Sequence, residues 1–290
     1  MLMMRGNSGV GTAWLMSAAM ALTGATSASE EPFPSPSTKG ADPSLEAWLE
    51  RLDAVADLYR DEALSFSCRE TIVWSPSPST DGRATFDYLY VFNDRTGILE
   101  DRRTLPGAGG KKGVPRAVTP EEAGVPRYLR SGMLWPLIFH RSRWSLHRYS
   151  LLGEAEAQGR PAIRIRFDAK PPYQPDINWW FGTAWVDRET GQLLQVEALD
   201  PHQHQTWLRF QEYLAGGVSR GPYAIERVQT EFGVERNGMR FPSLVRIEEA
   251  KYGAVGKRPT KRHKTSPLMT ITQRFEKYQF FGVRTEADVE

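Results

Sequence analysis

The stretch GTAWVDRETGQLLQVEALDP (182–201) spells out a β-hairpin. Ala184, Trp185 and Val186 suit a pleated, half-buried surface. Asp187 to Gly191 is a turn, because Asp can bond its own backbone and Gly191 tolerates positive φ. Leu194, Val196 and Ala198 then alternate with Gln195 and Glu197, which makes one face apolar and the other wet. Pro201 ends the ribbon, having no N–H for a ladder. Asp187 and Glu189 also have the make-up of an acid/base pair, but turn chemistry accounts for them.

Working outward, the same grammar recurs. TFDYLYVF puts Phe86, Tyr88, Tyr90 and Phe92 on one face, and NDRTG (93–97) is a second turn. AIRIRFD predicts a strand with Ile163, Ile165 and Phe167 inward and Arg164, Arg166 and Asp168 outward, entered through the turn AEAQGRP. Asn237-Gly238 marks a further hairpin. SPLMTITQRFEKYQFFGV is a long terminal strand. Turn spacing predicts roughly eight to eleven antiparallel strands. One helix precedes them: Leu45, Trp48, Leu49, Leu52, Val55, Ala56 and Tyr59 recur at helical spacing over about five turns, with Asp42 as N-cap and Pro43 in the first turn.

A long insertion, Pro106 to Trp144, interrupts the meander. It opens Gly/Lys-rich. It then carries a capping box, Thr119 with Glu122, and an apolar stretch, Tyr128 to His140, helical with a break at Pro136. That stretch is either an ordinary core helix or a lid over the mouth of a curved sheet; the length of the excursion favours function.

The N-terminus bounds the compartment. Arg5, an apolar run from Ala13 to Leu22 and small residues up to Ala28 form a secretory signal peptide, residues 1–28. The run is far shorter than the ~20 apolar residues of a membrane span. Residues 29–43 are Pro/Ser-rich and read as a disordered leader, leaving 44–290 as one domain. A single cysteine, Cys68, excludes an internal disulfide and reads as a small buried residue. With 37 basic against 35 acidic residues, no global charge argues for nucleic acid.

Signatures of chemistry are sparse. There is no nucleophile elbow, zinc-protease motif, phosphate-binding glycine loop or paired-Cys metal site. His202 and His204 in DPHQHQ share a strand face, but a metal needs a third ligand. No catalytic residue, metal or cofactor is expected. Aromatic residues are the stronger signal: NWWFGTAW gathers Trp179, Trp180 and Trp185. A sheet with one helix and a lid has much apolar interior to fill, which suggests a half-barrel with an apolar cavity. Met133, Leu134, Leu137, Ile138, Trp179, Trp180 and Trp185 are its candidate walls. KRPTKRHK places Lys257, Arg258, Lys261, Arg262 and Lys264 at a loop tip, either solvated or docking on an anionic membrane surface or acidic partner.

The ribbons GTAWVDRETGQLLQVEALD, LLGEAEAQGRPAIRIRFDAKP and EFGVERNGMRFPSLVRIEEA resemble those of the periplasmic outer-membrane lipoprotein carriers and lipoprotein-sorting proteins, the LolA/LolB-like superfamily, over about residues 44 to 285. That resemblance implies an incomplete barrel with a helical lid whose cavity holds acyl chains. The expected fold is therefore α+β, mainly β. The expected function is that of an exported, soluble, monomeric protein that binds a lipid or acylated ligand and is not an enzyme. Two alternatives remain: a secreted hydrolase with a site near His202 and His204, and an envelope scaffold without a small ligand.

Overall fold

A computed structural model describes residues 43–63, 65–76, 81–93, 97–109, 115–126, 130–171, 180–199, 223–253 and 264–281. Ser44, not Asp42, caps α1 (Leu45–Leu58), the one α-helix among the described residues: its hydroxyl accepts from the Ala47 N–H at 3.3 Å. Ser44 is extended and directly precedes the first helical residue, so Pro43 stands outside the helix and Asp42 falls outside the described residues. The helix is 14 residues long, a turn shorter than the apolar spacing suggests, and runs into a π-turn at Tyr59–Ala63. It buries Trp48, Leu49, Leu52 and Ala56. Its Arg51 guanidinium donates to the carbonyls of Arg188 and Glu189, at 3.2 and 2.7 Å, and so ties the helix to the turn of the 182–201 hairpin.

The strands are β1 (Ser65–Pro76), β2 (Gly82–Asn93), β3 (Gly97–Gly109), β4 (Pro115–Val118), β5 (His147–Ala157), β6 (Arg160–Ala169), β7 (Phe181–Asp187), β8 (Leu193–Leu199), β9 (Tyr223–Glu231), β10 (Val234–Arg236), β11 (Met239–Phe241), β12 (Leu244–Gly253) and β13 (Lys264–Phe280). Eleven form one antiparallel sheet in the order β4-β3-β2-β1-β13-β12-β9-β8-β7-β6-β5, and β10 and β11 form a small hairpin of their own. The sheet is open, with β4 and β5 at its edges, so the described residues form an incomplete barrel. It departs from a plain meander because the C-terminal strand β13 enters between β1 and β12.

The sheet has to curl. Laid flat, β2 and β6 would stand about 34 Å apart at ~4.8 Å per strand, and a helix is only about 10–12 Å across. Yet Phe86 on β2 and Phe167 on β6 belong to one continuous core with Trp48 and Leu52 of α1. One face is therefore concave and wraps the helix. Ile163, Ile165 and Phe167 point into it, as their alternation predicts, and Arg166 is exposed on the other face. The turns follow their chemistry. Asn237 and Gly238 take φ of 51° and 75°, and Gln158 and Gly159 take 52° and 71°, the left-handed values of a tight two-residue hairpin turn.

The 182–201 hairpin forms, with one correction. A bulge between Trp185/Gln195 and Val186/Leu193 shifts the register. Val196, Ala198 and Leu193 enter the main core, while Leu194 turns to a separate small cluster with Ala157 and Ala162, against which Trp185 packs. Asp187 has its turn role: Oδ1 accepts the N–H groups of Glu189 and Thr190 at 2.8 and 3.2 Å, and Oδ2 accepts from Arg160 at 2.5 Å.

Candidate functional site

Because β4 and β5 are opposite edges of the sheet, the connection between them must cross the concave face. It does so as a ten-residue 3-10 helix, Arg130–Phe139, with Pro136 inside it. Such helices rarely exceed 3–4 residues, since side chains three apart eclipse and the hydrogen bonds are poorly directed. Here the period of three sorts the side chains. Met133, Trp135, Ile138 and Phe139 are buried, while Leu134 and Leu137 form a half-buried outer row. The preceding Thr119–Glu122 box is formed in both directions, at 3.0 and 3.2 Å.

Aromatic packing and a few polar ties hold the segment down. Trp135 meets the Trp180 ring edge-on at 5.3 Å and lies 6.5 Å from Phe167, and Phe139 meets Phe167 edge-on at 5.8 Å. The Trp135 indole donates to Thr230 Oγ1 at 2.8 Å, and the Tyr149 hydroxyl to the Ile138 carbonyl at 2.7 Å. Burial lowers the His147 pKa and favours the neutral imidazole beside Phe167.

Just past the segment, α1 supplies a clamp. Asp53 accepts the Arg141 backbone N–H at 2.6 Å and pairs with its Nε at 3.2 Å. His140 Nε2 lies 3.1 Å from Asp57 Oδ1 and 2.9 Å from Arg60 Nη1. Asp53, Asp57 and His140 bring possible metal-ligand atoms within 4.8 Å of one another. Arg60 and Arg141 already neutralise both carboxylates, so this group reads as a latch.

Toward the other end of the concave face the chemistry changes. Glu70, Arg103 and Gln273 are buried polar residues among apolar ones. The Arg103 guanidinium donates to both Glu70 oxygens and, at 2.8 Å, to Asp101; Gln273 donates to Glu70 at 2.9 Å. Arg103 also lies 4.0 Å over the Tyr88 ring. Sequence reading passed over this group. The available signal was the alternation Phe66-x-Cys68-x-Glu70-x-Ile72, which puts a carboxylate at an inward position.

The expected cavity walls thus divide. Met133, Ile138 and Trp180 meet on the concave side with Leu134 and Leu137 beside them, but Trp185 is on the opposite face, because it alternates with the inward Ala184 and Val186. Trp179, His202, His204, Lys257, Arg258, Lys261 and Arg262 lie outside the described residues. Lys264 begins β13 and pairs with Gly253 of β12. A cleft of about 390 Å³ on the opposite face is lined by Arg166, Asp168, Glu197, Arg227, Arg246 and Glu248 among others, a lining too charged for an acyl chain. Among the described residues no helix is long and apolar enough to cross a membrane.

Among the described residues of this chain, one α-helix is wrapped by an open antiparallel sheet and crossed by an apolar segment. No family model matches it, and no curated protein matches its sequence. Among solved structures it is similar to a LolA superfamily protein from Nitrosomonas europaea (11% identity, TM-score 0.37, covering 83% of this chain and 97% of that one). It is also similar to a DUF1329 family protein from Desulfovibrio piger (12%, 0.40, 85% and 95%). A third is a putative outer membrane lipoprotein-sorting protein domain from Vibrio parahaemolyticus (10%, 0.37, 83% and 93%).

Proposed function

We propose that this chain is an exported carrier that shelters a lipid or acylated molecule against the concave face, beneath residues 130–139, in the traffic of lipids or lipoproteins to the outer membrane. One observation carries the reading: a single hydrophobic core runs from β2 to β6, with the buried polar group of Glu70, Arg103 and Gln273 toward its β1–β3 end, and its cover is an irregular 3-10 segment gripped by side chains. An acyl chain can take the place of such side chains. Each methylene moved from water to the lining contributes ~0.8 kcal/mol, which offsets the packing given up when the cover lifts. Met133, Ile138 and Trp180 would touch the chain, with Leu134, Leu137 and Trp179 at its border.

Leu137→Asp tests this. Leu137 is on the half-buried row, so the fold survives the charge, while a carboxylate at the cover's edge opposes a lipid beneath it. Binding of a fluorescent fatty acid should be lost. Binding unchanged from the native protein would remove the segment from the reading.

The same reading gives Lys257, Arg258, Lys261, Arg262 and Lys264 a docking role. Charge at a surface is screened within about 8 Å at physiological salt. Association with anionic vesicles should fall steeply as salt rises and lose that slope when all five become Ser; an unaltered slope would leave the run a solvated tip.

A further inference from the structure

We propose that the β1–β3 end of the concave face receives the uncharged, oxygen-bearing head of an acyl ligand, an ester or amide carbonyl, on the hydroxyls of Tyr59, Tyr88 and Tyr90. This rests on the acyl-ligand reading above and adds the chemistry of the head. Tyr88 and Tyr90 point inward along β2, and Tyr59 arrives from the end of α1. The Phe66 ring stacks on Tyr90 at 5.5 Å and meets Tyr88 edge-on at 6.2 Å, so the three strand residues form one aromatic wall.

All three hydroxyl oxygens are sealed from solvent, and none has a hydrogen-bond partner. Three other aromatic donors on this face are satisfied: Tyr149 by the Ile138 carbonyl, Tyr278 by the Pro242 carbonyl at 2.7 Å, Trp135 by Thr230. Buried polar groups in native proteins are nearly always bonded. Three neighbouring donors left over at one end of an apolar trough match the acceptors that a bare hydrocarbon lacks and an acylated molecule carries. Desolvation raises the pKa of each hydroxyl, with the neighbouring Tyr90 adding to the effect at Tyr59 and Asp101 at Tyr90, so each keeps its proton to donate. The same surroundings select against an anion. One guanidinium, Arg103, faces two carboxylates, Glu70 and Asp101, which already occupy it. A free carboxylate or phosphate head would add a third negative charge; a carbonyl oxygen adds none.

The entry route fits. Met133 of the crossing segment lies 3.7 Å from the Tyr278 hydroxyl, and the Tyr278 ring is 5.1 Å from Phe66. The segment thus reaches, through Tyr278, the wall that carries Tyr88 and Tyr90. The chain's one cysteine reports on the place: Cys68 is buried on the same face and pairs in register with Tyr88.

The test measures how well methyl laurate, tridecane and laurate each protect Cys68 from a small thiol reagent. The ester should protect about tenfold more tightly than the alkane of equal carbon number, and laurate no more tightly than the alkane. Changing Tyr59, Tyr88 and Tyr90 together to Phe should abolish the ester's advantage and leave the alkane unchanged, with no fall in Tm. Should the triple variant not fold, Tyr90→Phe alone should reduce the advantage about threefold. An ester no better than the alkane in the native protein, or an advantage that survives the substitutions, overturns the head site while the acyl reading stands. If none of the three protects Cys68, both fall.

Discussion

The two ends of the concave face share one sheet and one wealth of aromatic rings, yet they manage polarity in opposite ways. At the β5–β7 end the donors of Trp135, Trp144 and Tyr149 are all matched by a carbonyl or hydroxyl within 2.8 Å. At the β1–β3 end a buried ion pair is fully hydrogen-bonded, while three tyrosine hydroxyls around it are not. The first end satisfies these aromatic donors. The second keeps donors in reserve, an arrangement that costs stability and that a ligand acceptor would offset.

The largest effect should come from the ion pair. Arg103→Met leaves Glu70 buried without its counter-charge, which costs about 3–5 kcal/mol. Chemical unfolding should show this as a drop in midpoint at unchanged slope. Pairing it with Glu70→Leu should recover most of the loss, since a buried pair replaced whole is often near neutral. A double variant as unstable as the single would mean that the pair holds this end together and is not merely tolerated there.

The next effect compares the ends directly. Trp135→Phe strands the buried Thr230 hydroxyl and should cost about 1–3 kcal/mol. Tyr90→Phe removes a hydroxyl that has no partner and should cost nothing, or stabilise by about 1 kcal/mol. The two substitutions each delete one polar donor from a buried aromatic residue, so a thermal melt of both reads the sign of the comparison. Equal losses would erase the distinction between the ends.

Much of this was legible because strand alternation is a local property. Ile163, Ile165 and Phe167 face inward as their spacing with Arg164, Arg166 and Asp168 requires, and Asn237-Gly238 turns as its dihedral freedom requires. The failures have non-local causes. Trp185 reads as a cavity wall from its aromatic neighbours, yet parity with Ala184 and Val186 sends it outward. Leu194 follows it there because of a bulge, which depends on how two strands are paired and is written in neither one. That the apolar insertion crosses the concave face follows from β4 and β5 being opposite edges, and that in turn follows from β13 entering beside β1. No local pattern encodes such a pairing. The unsatisfied tyrosines were hidden for the same reason: TFDYLYVF tells which way Tyr88 and Tyr90 point, but not what waits there.

The smallest effect separates a buried ion pair from one at the rim. Arg160 and Asp187 pair at 2.5 Å, but the Arg160 side chain is 37% exposed, so solvent screens the pair and it should contribute little. Burial by itself would raise the Asp187 pKa; the Arg160 hydrogen bond and the turn amides of Thr190 and Glu189 more than offset it and leave it lowered. A carboxylate depressed on folding contributes stability above its unfolded pKa, near 3.8, that is lost as pH falls through the folded value. His147 titrates in a different window. Its pKa is lowered chiefly by desolvation, so the unfolded chain takes up a proton first, and stability should decline as pH falls below about 6.5. Stability followed from pH 8 downward should therefore fall in two steps. His147→Phe, which keeps a ring beside Phe167, should flatten the upper step and leave the lower one; Asp187→Asn should do the reverse. An upper step that persists without His147 would place the titrating group elsewhere, and attention would turn to the polar end of the trough.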